Sequence, residues 1–182
     1  MPRPSAVAIT GLGVLWILTA TAPRLEADGL GPDVFVGYSF ARVDDVDRHG
    51  AALATSFHVV GPLSGFVDAS GHFGHDAGLD RNDLTLMAGP GVRFGLGRSV
   101  LFVRGLAGLL RDSSTVSVLD VSISESGSRF AVLAGGGVDV ALAWRWAVRL
   151  QGDYLWQDAK DATTKSGFRL AAGAVYRFGV RP

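Results

Sequence analysis

The sequence predicts an all-β protein, an eight-stranded antiparallel up-and-down transmembrane β-barrel preceded by a cleavable signal peptide. Three observations predict it. The stretch 166–179, S-G-F-R-L-A-A-G-A-V-Y-R-F-G, alternates with a period of two. Phe168, Leu170, Ala172, Ala174, Tyr176 and Phe178 share one face, and Arg169, Ala171, Gly173, Val175 and Arg177 share the other. Seven segments upstream repeat the pattern, an apolar face backed by small residues and isolated charges. Aromatic residues collect at the ends of the apolar faces, where a bilayer has its two interfaces.

Composition bounds the rest. The chain has 182 residues, enough for one ordinary domain, or one domain and a processed segment. It is 48% hydrophobic yet holds 25 glycines, and one apolar run alone is long enough to cross a bilayer as a helix. Seventeen basic residues balance seventeen acidic ones, which gives no reason to expect a nucleic acid or other polyanion partner. The absence of cysteine excludes disulfides, thiolate metal sites and a lipidated N-terminal cysteine.

The exception to the strand pattern is residues 1–27. Arg3 precedes an apolar run from Ala6 to about Ala22, and Pro23-Arg24-Leu25-Glu26-Ala27 forms a short polar tail. This is the layout of a signal peptide cut after Ala27, the alternative being a short retained transmembrane anchor. The barrel domain is then 28–182. Removing Arg3, Arg24 and Glu26 leaves 15 basic and 16 acidic residues.

Eight strands follow in order. Asp28 to Asp33 is a Gly/Pro lead-in, and strand one spans Val34–Val43. Strand two, His49–Val60, sets Leu53 and Phe57 against Ala52, Ala54 and Ser56; strand three, Gly65–Phe73, sets Val67 and Phe73 against Asp68, Ser70 and His72. Strand four, Asp83–Gly95, carries Pro90 between two glycines, which predicts a bulge or kink there. Strand five, Val100–Arg111, is apolar on both faces, and its register is chosen by turning Arg104 inward, since a charge in lipid costs roughly 2–4 kcal/mol at mid-depth. Strands six, seven and eight are Arg129–Ala143, Ala147–Gln157 and Ser166–Gly179. Connections alternate between loops at 44–48, 74–82, 112–128 and 158–165 and short turns at 61–64, 96–99 and 143–146. Such asymmetry is expected of outer-membrane barrels, with the turns and both chain ends on the periplasmic side. Tyr176, Phe178, Phe94, Trp144 and Trp146 then form one aromatic girdle, and Trp156, Tyr154, Phe168, Phe130 and Phe40 the other.

Alternation alone does not say which face is outside. A soluble lipocalin-like ligand-binding barrel would bury the apolar face and wet the charged one. Against this, the charged faces are mostly Gly, Ala and Ser, the aromatics lie at strand ends, and Lys160 and Lys165 fall in a loop.

The stretches V-F-V-G-Y-S-F (34–40), M-A-G-P-G-V-R-F (87–94), F-A-V-L-A-G-G-G-V-D-V (130–140), V-R-L-Q-G-D-Y-L (148–155) and F-R-L-A-A-G-A-V-Y-R-F-G (168–179) together resemble the small eight-stranded outer-membrane barrels of Gram-negative bacteria, the OmpA/OmpX-like β-barrel domain. The resemblance implies residence in the outer membrane, contact with its lipid and lipopolysaccharide, and insertion by the outer-membrane assembly machinery. The last strand resembles that machinery's recognition signal, with Tyr176 and Phe178 as its aromatics, although Gly179-Val180-Arg181-Pro182 follow. With no peptidoglycan-binding domain after the barrel, an anchoring role is not carried over.

The inward charges are Asp68, Asp139 and Asp153 with Arg93, Arg104, Arg149, Arg169 and Arg177. An eight-stranded barrel is just wide enough for its own side chains, so these groups are expected to pair as a plug and not to line a channel. Asp139 and Asp153 are the nearest partners in sequence for Arg169 and Arg177. His72, His75 and Asp76, with Asp80 nearby, have the look of a metal or hydrolase site, but no serine stands two residues after a histidine, and the expectation is a solvated loop. Asp44, Asp45 and Asp47 resemble a calcium loop until the twelfth position, where Ser56 stands in place of glutamate. No cofactor is expected. In loop 112–128, Val116, Val118, Val121 and Ile123 alternate with serines, so strands five and six are expected to continue beyond the membrane as a hairpin able to recruit a partner. The function expected is therefore a non-enzymatic barrel serving envelope integrity or surface interaction through its loops; a small pore or a lipid-A-modifying enzyme is the alternative.

Overall fold

A computed structural model describes residues 31–43, 46–76, 79–118, 121–158 and 164–179. The leader proposed at 1–27 lies outside the described residues. Eight strands pair in sequence order and close into a barrel. They are β1 (Asp33–Val43), β2 (Val46–Val60), β3 (Leu63–Asp76), β4 (Leu79–Leu96), β5 (Ser99–Val118), β6 (Val121–Ala141), β7 (Trp146–Asp158) and β8 (Thr164–Arg177). Every neighbouring pair is antiparallel, and β8 closes on β1 through Asp33↔Arg177 to Val43↔Gly167. Closure leaves no unpaired edge around the wall, a requirement for a sheet surrounded by hydrocarbon.

The inside and outside faces are the ones the alternation assigns. Leu86, Val103, Leu150 and Leu170 are 52–60% exposed, while Arg93, Arg104, Arg149 and Arg169 are at most 2% exposed. A soluble barrel requires the reverse, so the lipocalin-like alternative fails: this surface is apolar in its middle and suited to lipid. Trp146 and Tyr176 meet edge to face at one end, with centroids 5.0 Å apart, and Tyr176 meets Phe178 at 4.9 Å. At the other end Tyr154 meets Trp156 at 4.7 Å and Phe40 meets Phe168 at 6.0 Å. Trp144 belongs to the first ring and stacks under the Arg145 guanidinium at 5.1 Å.

Connections at one rim are tight. Val60 pairs with Leu63 across Gly61-Pro62, where Gly61 takes φ +55°. Proline holds the second position at negative φ, which excludes a I′ turn and fits II′. Gly97 at φ +59° does the same job between Leu96 and Ser99. The third turn is residues 142–145, not 143–146, because Trp146 already pairs with Tyr176.

At the opposite rim the strands run further than the polar composition suggests. Asp47 and Arg48 belong to β2, and the expected loop 74–82 is strand to Asp76 and again from Leu79. Most of 112–128 is ladder, ending at Val118↔Val121. At 47–48 and 74–82 cross-strand pairing satisfies the backbone without an apolar face, which is why composition reads them as loops, whereas the ladder over most of 112–128 is the hairpin that the alternating Val116, Val118, Val121 and Ile123 predict. Two further expectations are corrected. Pro90 makes no bulge: Ala88↔Ala107 and Gly91↔Arg104 lie on one register, and the ladder toward β5 merely lapses at 89–90, while Pro90 still faces Gly65 of β3. The irregularity lies instead at His58/Val60 of β2. Strand β8 also stops at Arg177, so Phe178 and Gly179 lie past the ladder, with the Phe178 amide donating to the Pro32 carbonyl at 2.8 Å.

Leu150→Arg places a guanidinium on the outward face near mid-depth. It is expected to lower the unfolding free energy by roughly 2–4 kcal/mol, measured by denaturant titration of the protein folded into vesicles.

Candidate functional site

The barrel interior holds the sequence-predicted charges as two ionic networks separated by an aromatic layer. In the network nearer the strand-extended rim, Arg169 on β8 grips Asp68 on β3 with both terminal nitrogens, at 2.8 and 3.0 Å. Its Nε and Nη2 also donate to Asp153 on β7 at 3.1 and 2.9 Å, and Nη1 to Ser70 Oγ at 2.9 Å. Arg104 on β5 completes the ring, 3.0 Å from Asp153 and 3.1 Å from Asp68. Two guanidiniums thus share two carboxylates across the whole lumen. Each charge of the ring has an opposite partner, although Arg104 Nη1 is buried without a hydrogen bond, so removing one member leaves a buried charge unpaired.

The second network lies toward the turn rim. Arg149 takes Asp139 through Nε at 2.6 Å and Nη2 at 2.9 Å. Asp33 lies 2.7 Å from Arg93, 3.4 Å from Arg149, and accepts from Ser56 Oγ at 2.8 Å. Arg177 reaches Asp139 at 3.8 Å. Asp33 is the member that sequence reading missed: it was assigned to the Gly/Pro lead-in, yet it opens β1 and is fully buried. The signal was present, since Asp33, Phe35, Gly37, Ser39 and Ala41 continue the inward face by one step of two.

Between the networks Phe66 and Phe102 pack at 5.8 Å, with Arg104 over both rings and Arg149 over Phe102 at 4.7 Å and Phe35 at 5.3 Å. Glycines on β6 make room for this filling. A Cβ on Gly135 would sit 2.3 Å from Asp153 Oδ1, and one on Gly137 would sit 2.7 Å from the Phe102 ring. Gly135 and Gly137, on the inward face, therefore leave the space into which a carboxylate and an aromatic ring are packed.

His72 is not part of a solvated loop. It is 5% exposed, points into the barrel and bonds Ser39 across the lumen at 2.9 Å. The serine comes from β1: Ser39 and His72 both pair with Gly50 of β2, and the missing side chain there lets them meet. A cavity of about 20 Å³, room for a single water, borders His72, Gln157 and the Arg48–Asp83 ion pair. The side chains of His75, Asp76 and Asp80 lie outside the described residues, and among those described no cluster of His, Asp or Glu could hold a metal ion. Of the calcium-loop candidates, Asp44 and Asp45 lie outside the described residues, while Asp47 pairs with Arg42 at 3.4 Å on the exposed rim.

Comparison with solved structures decides the fold. Neisserial surface protein A superposes with a TM-score of 0.61 at 14% identity, covering 81% of this chain and 96% of that one. The Yersinia pestis attachment invasion locus protein, Ail, gives 0.57 at 19% identity over 81% and 99% of the two chains. The chain has the fold of the small eight-stranded outer-membrane barrels. The same barrel is found in the N-terminal domain of Pseudomonas aeruginosa OprF, with a TM-score of 0.53 at 17% identity over 79% and 97%, and in the outer-membrane enzyme PagL, at 0.51 and 13% over 80% and 99%. No family model matches the sequence, and no curated protein matches it. This barrel is plugged: Arg93, Arg104, Arg149, Phe35, Phe66 and Phe102 are among its most deeply buried side chains.

Asp153→Ala strips both Arg104 and Arg169 of a partner and is expected to cost about 3–5 kcal/mol. Asp47→Ala, at the half-exposed pair with Arg42, is expected to cost less than about 1 kcal/mol. Parallel urea titrations of the two variants check the contrast.

Proposed function

We propose that the chain is a non-enzymatic outer-membrane barrel that contributes to envelope integrity or surface interaction through the rim opposite its tight turns. The observation that carries this reading is the division between a filled interior and an extended rim. The interior is filled by its own side chains, most of them ion-paired, so it offers no open conduit through the barrel. The rim, by contrast, continues as β5 and β6, of 20 and 21 residues, against roughly 9–11 needed to cross a bilayer as a tilted strand.

This hairpin supports a partner-binding role through its backbone. The β4–β5 ladder reaches Asp80↔Thr115, while the β6–β7 ladder begins only at Ala131↔Gln157. Among the described residues the β7-facing edge of 121–130 is therefore without a strand. An edge of that length is a template for an extended segment of another protein. Ail has been solved with the heparin analogue sucrose octasulfate; at the described base of the present hairpin Arg129 pairs with Asp112 at 2.7 Å.

The barrel enters the membrane through the assembly machinery, in this reading, with β8 as the recognised strand and Tyr176 as its aromatic at the turn rim. The turns then face the periplasm and the β5–β6 hairpin the exterior. PagL makes an enzymatic reading worth weighing, and Ser39 with His72 is the pair to consider. Ser39 is fully buried, and no carboxylate is bonded to His72 among the described residues, so the pair is read as interior packing.

In planar bilayers the protein is expected to give no resolved single-channel steps; a stable open conductance overturns the plug. Deleting residues 114–126 is expected to reduce adhesion and serum-protein binding by cells displaying the barrel while leaving its heat-modifiable gel migration intact. Unchanged adhesion removes the hairpin from the proposal.

A further inference from the structure

The two interior networks differ in charge. The one nearer the extended rim has two arginines and two aspartates, whereas the one at the turn rim has three, Arg93, Arg149 and Arg177, against Asp33 and Asp139. Arg149 occupies both oxygens of Asp139, which leaves Arg177 at 3.8 Å from it. Nε of Arg93, Nη1 of Arg149, Nε and Nη2 of Arg177, and Oγ of Ser64 are buried without a hydrogen-bond partner. Arg93 and Arg149 are 0% exposed, Ser64 1% and Arg177 7%. Buried charged donors left without acceptors are costly, and a surplus positive charge in a low-dielectric lumen is costlier still.

Among the described residues the surroundings do not supply the missing anion; Arg93 Nη1 finds only the Gly31 carbonyl, at 3.4 Å. Arg98 and Arg145 stand on the adjoining turns and donate to neutral acceptors, the Ala141 carbonyl and the Tyr176 hydroxyl. The Arg177 amide donates to the Arg145 carbonyl at 2.9 Å, which sets these two basic residues side by side at the mouth. Among the described residues of this rim, Asp33 and Asp139 are the carboxylates, and both are already engaged.

We infer that the turn-side mouth of the barrel binds an oxyanion of the phosphate class, held by Arg177 with Arg149, Arg93 and Ser64 deeper in. Several N–H donors and a hydroxyl suit a group with several acceptor oxygens better than a halide, and guanidinium matches phosphate in a bidentate fashion. The phosphate can be free in solution or belong to a lipid headgroup at this rim. The inference rests on the membrane-barrel reading only for the side of the membrane the mouth faces. Binding itself is measured on purified protein.

The test uses the full chain folded in a neutral-headgroup detergent. Its thermal unfolding midpoint is followed as inorganic phosphate replaces chloride at constant ionic strength. The wild-type midpoint is expected to rise by about 3 °C or more, and that of Arg177→Gln to stay flat. A second arm compares phosphatidylglycerol with phosphatidylcholine vesicles in phosphate-free buffer. An Arg177-dependent rise seen there alone assigns the ligand to a lipid headgroup, and one seen with inorganic phosphate assigns it to free phosphate. No rise in either arm, or an equal rise in Arg177→Gln, overturns the site. Should Arg177→Gln fail to fold, phosphorus NMR on the wild type decides. Phosphate line broadening that sulfate reverses and chloride does not supports the site, and its absence overturns it.

Discussion

The contact between Arg169 and Asp68 spans the lumen and joins residues 101 apart in sequence. With Asp153 and Arg104 it ties β3, β5, β7 and β8 into one cross-braced unit, and the turn-side network ties β1, β4, β6, β7 and β8 in the same way. The energetic meaning is as much about register as about stability. Shifting any of these strands by one residue would exchange its faces, sending a guanidinium or carboxylate into hydrocarbon and a leucine into the ionic core. The apolar pattern and the ion pairs therefore demand one and the same register, which is the consistency expected of a sequence that specifies a single closed sheet.

Filling the lumen with charge has structural consequences elsewhere. Guanidiniums need ring faces and carboxylates need space, and β6 supplies the space by giving up side chains at Gly135 and Gly137. Where strands approach closely on the β1–β8 seam, Gly37 faces Gly173, and a Cβ on either would collide with backbone of the other strand. A barrel so filled offers its partners little besides its rims. Among the described residues one rim extends as a hairpin whose β7-facing edge has no strand, and the other holds three interior arginines against two aspartates.

Much of this was legible because strand periodicity is a local property. Arg104 was turned inward on the cost of placing it in lipid, and Phe102, Leu106 and Leu110 followed it to the interior. Asp33 was missed because Gly31 and Pro32 beside it read as a lead-in, although the step of two reaches it. At Pro90 the missing N–H needs no extra residue, because a lapse in one ladder is enough. The alternating valines predict the β5–β6 extension, but at β2, β3 and β4 hydrogen bonding to a neighbouring strand carries the sheet further than the polar composition suggests, without an apolar face.

The sequence by itself determined which residues face lipid and which face inward, since side chains alternate whatever the strand is paired with. It also determined that the inward charges must meet one another, because no solvent is available to them. Only the tertiary structure decided who meets whom. Sequence proximity offered Asp153 and Asp139 to Arg169 and Arg177; closure added Asp68 to the first and left the second loosely held. Pairing of both strands with β2 brought Ser39 to His72 over Gly50, and among the described residues the β6–β7 ladder begins only at Ala131. Contacts across a lumen depend on strand number, register and closure together, and none of these is a property of a single strand.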